Sequence, residues 1–250
     1  MVSGATEIFD DLTDEFDRLE EILDGLDQSQ WLAPSAADGW SVADVVLHLA
    51  QTEEMVVNTT QGADLLASLP PSNATTMDGL MADLVAAEDS APEQTFERWK
   101  LARRASVAAL RAADPGTPIP WAAAPLKPTA LATTRLAEHW AHGLDITDGL
   151  SIPFPDTDRL RHIAWLAHRS LPYGYALAGE EPHDVYAELT SPDGSTIWRY
   201  GDPGTDSTIT GSVGAFCRVG AQRLSPDESG LVTGGPHGAA ALQVLRNYAG

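Results

Sequence analysis

Across residues 7–26 the apolar side chains Ile8, Leu12, Phe16, Leu19, Leu23 and Leu26 return every three or four positions, while aspartates and glutamates fill much of the rest. A strand would need alternation of two; this period fits an amphipathic helix with an acidic outer face. The same period recurs through the first part of the chain. "SVADVVLHLAQTEEMVV" opens at Ser41 with Asp44 three residues on, a variant capping box, and carries a stripe of Val42, Val45, Val46 and Leu49. Residues 77–88 and 92–113 read as two helices or one long broken one. A further helix is predicted from near Pro128 through "TALATTRLAEHWAHGLDITDGL", and a fifth over residues 156 to about 177, kinked or ended by Pro172. "LAPSAADGW", "DPGTPIPW" and residues 62–75, with Pro70, Pro71 and Asn73, read as turns and loops.

After about Glu181 the period shortens. "DVYAELTSPDGSTIWRYG" places two strand-like runs around Pro-Asp-Gly, a hairpin signal. "STITGSVGAFCRVGAQRL" reads as a strand followed by a helix, "SGLVTGG" as a strand, and "PHGAAALQVLRNYAG" as a closing helix. This order predicts an α+β tail built on an antiparallel sheet. A helical domain over residues 1–155 and a second domain over 156–250 are expected, and a core of real size is within reach of 250 residues.

Fifteen basic against thirty-six acidic residues give a net charge of -21, which argues against nucleic acid or an anionic membrane as partner. No basic, then apolar leader opens the chain, and no apolar run approaches the roughly 20 residues that span a bilayer. The expectation is a cytoplasmic protein, monomeric or homodimeric. Cys217, the only cysteine, excludes an internal disulfide and a cysteine-based zinc cluster; its apolar surroundings predict a buried, inert thiol. No nucleophile elbow, phosphate loop or dinucleotide fingerprint is present.

The chemistry concentrates in "AEHWAHGLD", which puts two of the seven histidines within a turn of a glutamate. On a helix Glu138 and His142 share a face, and so do His139 and His142; either pair could grip one ion. A third ligand must come from another helix. His48, at the edge of the second helix's apolar stripe, is the best candidate, because a buried imidazole there needs a partner. Helical bundles build metal sites from such residues, and three protein ligands leave positions open for water or substrate. Two histidines and a carboxylate suit zinc, iron(II), nickel or manganese. Asp145, one turn on, is placed to orient a ligand. Trp31 and Trp40 read as core or pocket walls, and Trp140 should point away from an ion.

"GWSVADVVLHLAQTEE" together with "ATTRLAEHWAHGLDITDGL" resembles the mycothiol-dependent maleylpyruvate isomerase family, within the wider group of DinB-like metalloenzymes. The tail, from "AELTSPDGSTIWRYG" through "TITGSVGAFCRVGAQR" to "LQVLRNYAG", resembles that family's C-terminal pattern, so the likeness spans nearly the whole chain. The resemblance implies an N-terminal DinB-like four-helix bundle followed by a small C-terminal α+β domain of sterol-carrier type. It implies His48, Glu138 and His142 as metal ligands, zinc being usual, with His139 a neighbour. It also implies Arg223, in "GAQR", as a catalytic residue that binds or activates a substrate carboxylate, and Arg161 and His162 as candidates to line the cavity. The function implied is a metal-dependent isomerase or S-transferase acting on a small molecule with a low-molecular-weight thiol such as mycothiol. The alternatives are a thiol-independent metal-dependent lyase, hydrolase or cyclase, and a non-catalytic binder of small ligands stabilised by metal.

Overall fold

A computed structural model describes residues 3–64, 72–122 and 124–248; Pro70 and Pro71 of the expected loop lie outside them. The chain divides into two compact units, the first running to Phe154 and the second spanning Pro155–Tyr248.

Among the described residues, four long helices make the first unit: α1 (Ser3–Asp24), α3 (Val42–Thr60), α5 (Pro92–Ala112) and α6 (Pro128–Leu150). Two short ones, α2 (Gln28–Trp31) and α4 (Met77–Ala86), sit in the connections. The predicted cap of α3 is formed in full: Ser41 Oγ accepts from the Asp44 N–H, and the Asp44 carboxylate accepts from the Ser41 N–H at 2.8 Å. Pro92 and Pro128 stand in the first turns of α5 and α6, where a missing N–H breaks no helical bond. Residues 77–113 are two separate helices, since α4 closes on the Ala87 N–H and Pro92 opens α5. The apolar stripes converge on a core of Leu19, Leu23, Val45, Leu49, Trp99 and Ile146, one or more from each long helix. Each such side chain stabilises the bundle by about 1.5–3 kcal/mol through burial, and together they fix which residues face inward.

In the second unit the single fifth helix expected over residues 156–177 is two. α7 (Leu160–Arg169) ends at Ser170, and α8 (Leu171–Ala178) starts with Pro172 in its first turn. The proline thus opens a helix and does not kink one. The sheet also departs from expectation: it is mixed, in the order β2-β1-β3-β4. β1 (Tyr186–Thr190) pairs antiparallel with β2 (Ile197–Tyr200) through the predicted hairpin, but parallel with β3 (Thr208–Ser212). β2 finishes beside the start of β1, with Ala187 opposite Tyr200, and the chain then steps round that end to bring Thr208 opposite Tyr186. β1 thus has one antiparallel and one parallel neighbour, and β2 itself serves as the connection between the parallel pair β1 and β3. β4 (Val232–Gly234) closes the other edge, followed by α10 (Gly238–Val244). α9 (Val213–Gly220) carries Cys217, fully buried, where loss of solvation pushes its thiol well above the usual range.

Candidate metal centre

α3 contributes His48 and α6 contributes Glu138 and His142; the three donor atoms all lie within 4.8 Å of one another. His48 Nε2 and His142 Nε2 each stand 3.7 Å from Glu138 Oε2. Donors about 2.1 Å from a shared tetrahedral ion are about 3.4 Å apart, so these two separations are within a few tenths of an ångström of closure. The imidazoles meet edge to face, centroids 4.9 Å apart. Glu138 keeps 25% of its side chain exposed while His48 keeps 6%, so the centre opens to solvent on the glutamate side.

His142 has a fixed orientation. Its Nδ1 is 2.9 Å from Asp145 Oδ2, and since a carboxylate only accepts, Nδ1 carries the proton. Nε2, on the other side of the ring, faces Glu138. Asp145 is buried, not the surface charge that its place near a helix end would suggest. His48 has no equivalent: its Nδ1 is buried without a hydrogen-bond partner among the described residues. Burial pushes the His48 pKa down to about 4, against the pull of Glu138, leaving a neutral imidazole at neutral pH. For Glu138 burial works upward. The neighbouring His48 imidazole and the positive charge of Arg135 outweigh it and hold the carboxyl well below its usual range. A neutral His48 and an ionised Glu138 are the protonation states a divalent cation requires of them.

His139 is drawn out of the ligand set. Its ring is fully buried against Phe16, centroids 4.3 Å apart. Nδ1 donates to the Arg135 carbonyl at 3.0 Å, and Nε2 accepts from Trp99 Nε1 at 3.1 Å. Both nitrogens are occupied, and burial with the nearby Arg135 charge drives its pKa well below the ordinary value.

Trp40 forms one wall, its ring 5.2 Å from His48 and 6.2 Å from His142, nearly parallel to the latter. It stands on a strap, residues 33–41, whose Ala36 N–H donates to the Asp145 carbonyl at 2.8 Å. Gly149 permits that approach, since a Cβ there would lie 2.8 Å from the Pro34 carbonyl oxygen. Trp140 is buried in the bundle.

Sequence reasoning missed Arg135 and Glu53, a fully buried ion pair between α6 and α3. The available signal was an arginine three residues before Glu138, hence on the ligand-bearing face of the helix. Arg223 lies in the second unit, exposed on the turn after α9, where Nη1 donates to the Ala221 carbonyl at 2.7 Å. Arg161 and His162 stand in the first turn of α7, Arg161 donating to the Asp158 carbonyl.

A helical bundle presenting two histidines and a glutamate from facing helices, joined to a small mixed-sheet unit, is the class of protein that these features define. The chain belongs to the mycothiol maleylpyruvate isomerase family, whose N-terminal domain model matches residues 12–147. An uncharacterized protein of Mycobacterium tuberculosis, strain H37Rv, is 29% identical over 96% of this chain and 94% of its own length, as is one of strain CDC 1551. The crystal structure of the mycothiol-dependent maleylpyruvate isomerase matches with a TM-score of 0.61 at 15% identity, covering 92% of each chain. That of a histidine-to-alanine mutant matches equally well, at 16% identity. At such identity these structures define the fold. Within it, no helix among the described residues is long and apolar enough to cross a membrane.

Proposed function

We propose that His48, Glu138 and His142 hold a divalent metal ion, zinc first among the candidates, in a cytoplasmic enzyme that acts on a small organic molecule with a low-molecular-weight thiol. The convergence of three donors carries this reading, with the His142 ring oriented by Asp145. Such an ion supplies Lewis acidity, which favours the anionic form of a thiol or water beside it. The chain's own residues prepare the place: Asp145 fixes a tautomer, Arg135 keeps Glu138 ionised, and Trp40 closes one side against solvent. The family and fold support a mycothiol-type thiol and an isomerase reaction; an S-transferase reaction is the other form proposed for the same activated thiol. Arg223 is the proposed partner of a substrate carboxylate, because a guanidinium binds one with two parallel hydrogen bonds.

The test has two stages. Elemental analysis of the wild type should give about one ion per chain, lost in His48→Ala, Glu138→Ala and His142→Ala. Cobalt(II)-loaded protein titrated with mycothiol or a smaller thiol should then develop a sulfur-to-cobalt absorption band in the near ultraviolet. Protein that takes up no zinc, nickel, iron(II) or manganese refutes the metal centre. Uptake with no thiol-dependent band, and turnover independent of thiol, would transfer the centre to water-based lyase, hydrolase or cyclase chemistry.

A further inference from the structure

One turn along from the triad, a buried contact joins the two ligand-bearing helices. Arg135 Nε donates to Glu53 Oε1 at 2.6 Å and Arg135 Nη2 to Thr52 Oγ1 at 2.7 Å. The charged side chains are 3% and 0% exposed. Thr52 Oγ1 in turn donates to the His48 carbonyl at 2.9 Å. One guanidinium on the helix of Glu138 is therefore tied, through a single hydroxyl, to the backbone of His48. The backbone carbonyl of Arg135 accepts from His139, which Trp99 of α5 holds from the other side.

A buried ion pair is a poor device for stability alone, because apolar residues of similar volume often serve as well or better. It differs from them in direction. Apolar ridges tolerate small sliding between helices, whereas two N–H groups in a rigid planar fork fix distance and register together. We propose that Arg135 and Glu53 are positioning residues for the metal centre: they set the register between α3 and α6 at which His48 faces Glu138. They thereby determine how tightly, and in what geometry, an ion is held. This inference rests on the reading of His48, Glu138 and His142 as ligands.

The test compares wild type with the double variant Glu53→Leu/Arg135→Met, which removes both charges at once and leaves the net charge unchanged. Zinc dissociation constants come from competition with a chromogenic chelator, and coordination geometry from the visible bands of cobalt(II)-loaded protein. Loss of groups supporting metal ligands weakens binding about 10–100-fold, and that loss, with shifted cobalt bands, is expected while the metal-free variant keeps its wild-type circular dichroism. A dissociation constant within twofold of wild type and unchanged cobalt bands would overturn the proposal, whatever happens to the melting temperature. Should the double variant fail to fold, Arg135→Lys is read by the same two measurements, since it keeps the charge and loses the fork. A wild type that binds no ion refutes the metal reading itself, and the role of the pair falls with it; a wild type that binds with the variants unchanged refutes only the pair.

Discussion

Replacing Asp145 by alanine should weaken metal binding without unfolding the bundle. The carboxylate is buried at 1% exposure and accepts from His142 Nδ1 at 2.9 Å. A hydrogen bond to a charged group contributes about 1.5–3 kcal/mol, and every 1.4 kcal/mol is about tenfold in affinity. Removing it frees the imidazole to rotate and to move its proton to Nε2, the atom needed for the ion. The zinc dissociation constant of Asp145→Ala should therefore rise about 10–100-fold. Asp145→Asn keeps an acceptor oxygen in place and gives up the charge, so its loss should be smaller, roughly threefold to tenfold. Chelator competition at neutral pH measures both. The reasoning is refuted if Asp145→Ala binds zinc within twofold of wild type while His142→Ala has lost it, because Asp145 would then do nothing for His142.

Acid should destabilise the metal-free bundle. His48 is held at about 4 when folded and returns to 6.5 when unfolded, so the unfolded chain binds more protons between those values. Stability is full above 6.5 and falls as the pH drops toward 4, by up to about 3 kcal/mol. Glu138, held below its usual range, extends the loss to lower pH; a denaturation midpoint constant from pH 7 to 4.5 would contradict this. Leu49→Ala, at a fully buried core position, should destabilise the first unit by about 2–5 kcal/mol in urea denaturation. Binding of nickel(II) or copper(II) should quench tryptophan fluorescence, and Trp40→Phe should lose most of that quenching, since its ring lies 5.2 Å from His48. Cys217 should stay inert to a thiol reagent until denaturant exposes it; rapid native labelling would show that α9 opens readily.

The parts of this protein written in short stretches were readable. The Ser41–Asp44 cap, the proline starts of α5 and α6 and the hairpin at Gly194 each depend on residues within a few positions of one another. So does the pairing of Glu138 with His142. What escaped depends on partners distant in the chain. The parallel pairing of β1 with β3 follows from which side of β1 the chain returns to, and no residue of either strand encodes that side. Arg135 and Glu53 stand 82 positions apart, and Trp99 and His139 are separated by 40. The period of three to four marks the apolar stripe of a helix, but says nothing of which polar residue on one helix will meet which on another. The break at Ser170 was hidden by Pro172, since the same residue can end one helix or open the next.

The hydrogen bond from Trp99 to His139 has a consequence for selectivity. A helix reading Glu-His-x-x-His offers an incoming ion two chelating pairs, Glu138 with His142 and His139 with His142. Soft or abundant cations that favour two imidazoles over a carboxylate would be drawn to the second pair. With both nitrogens of His139 already occupied inside the core, that choice is closed before any ion arrives. An indole on α5, remote from the chemistry, thus decides how many arrangements of ligands α6 can offer.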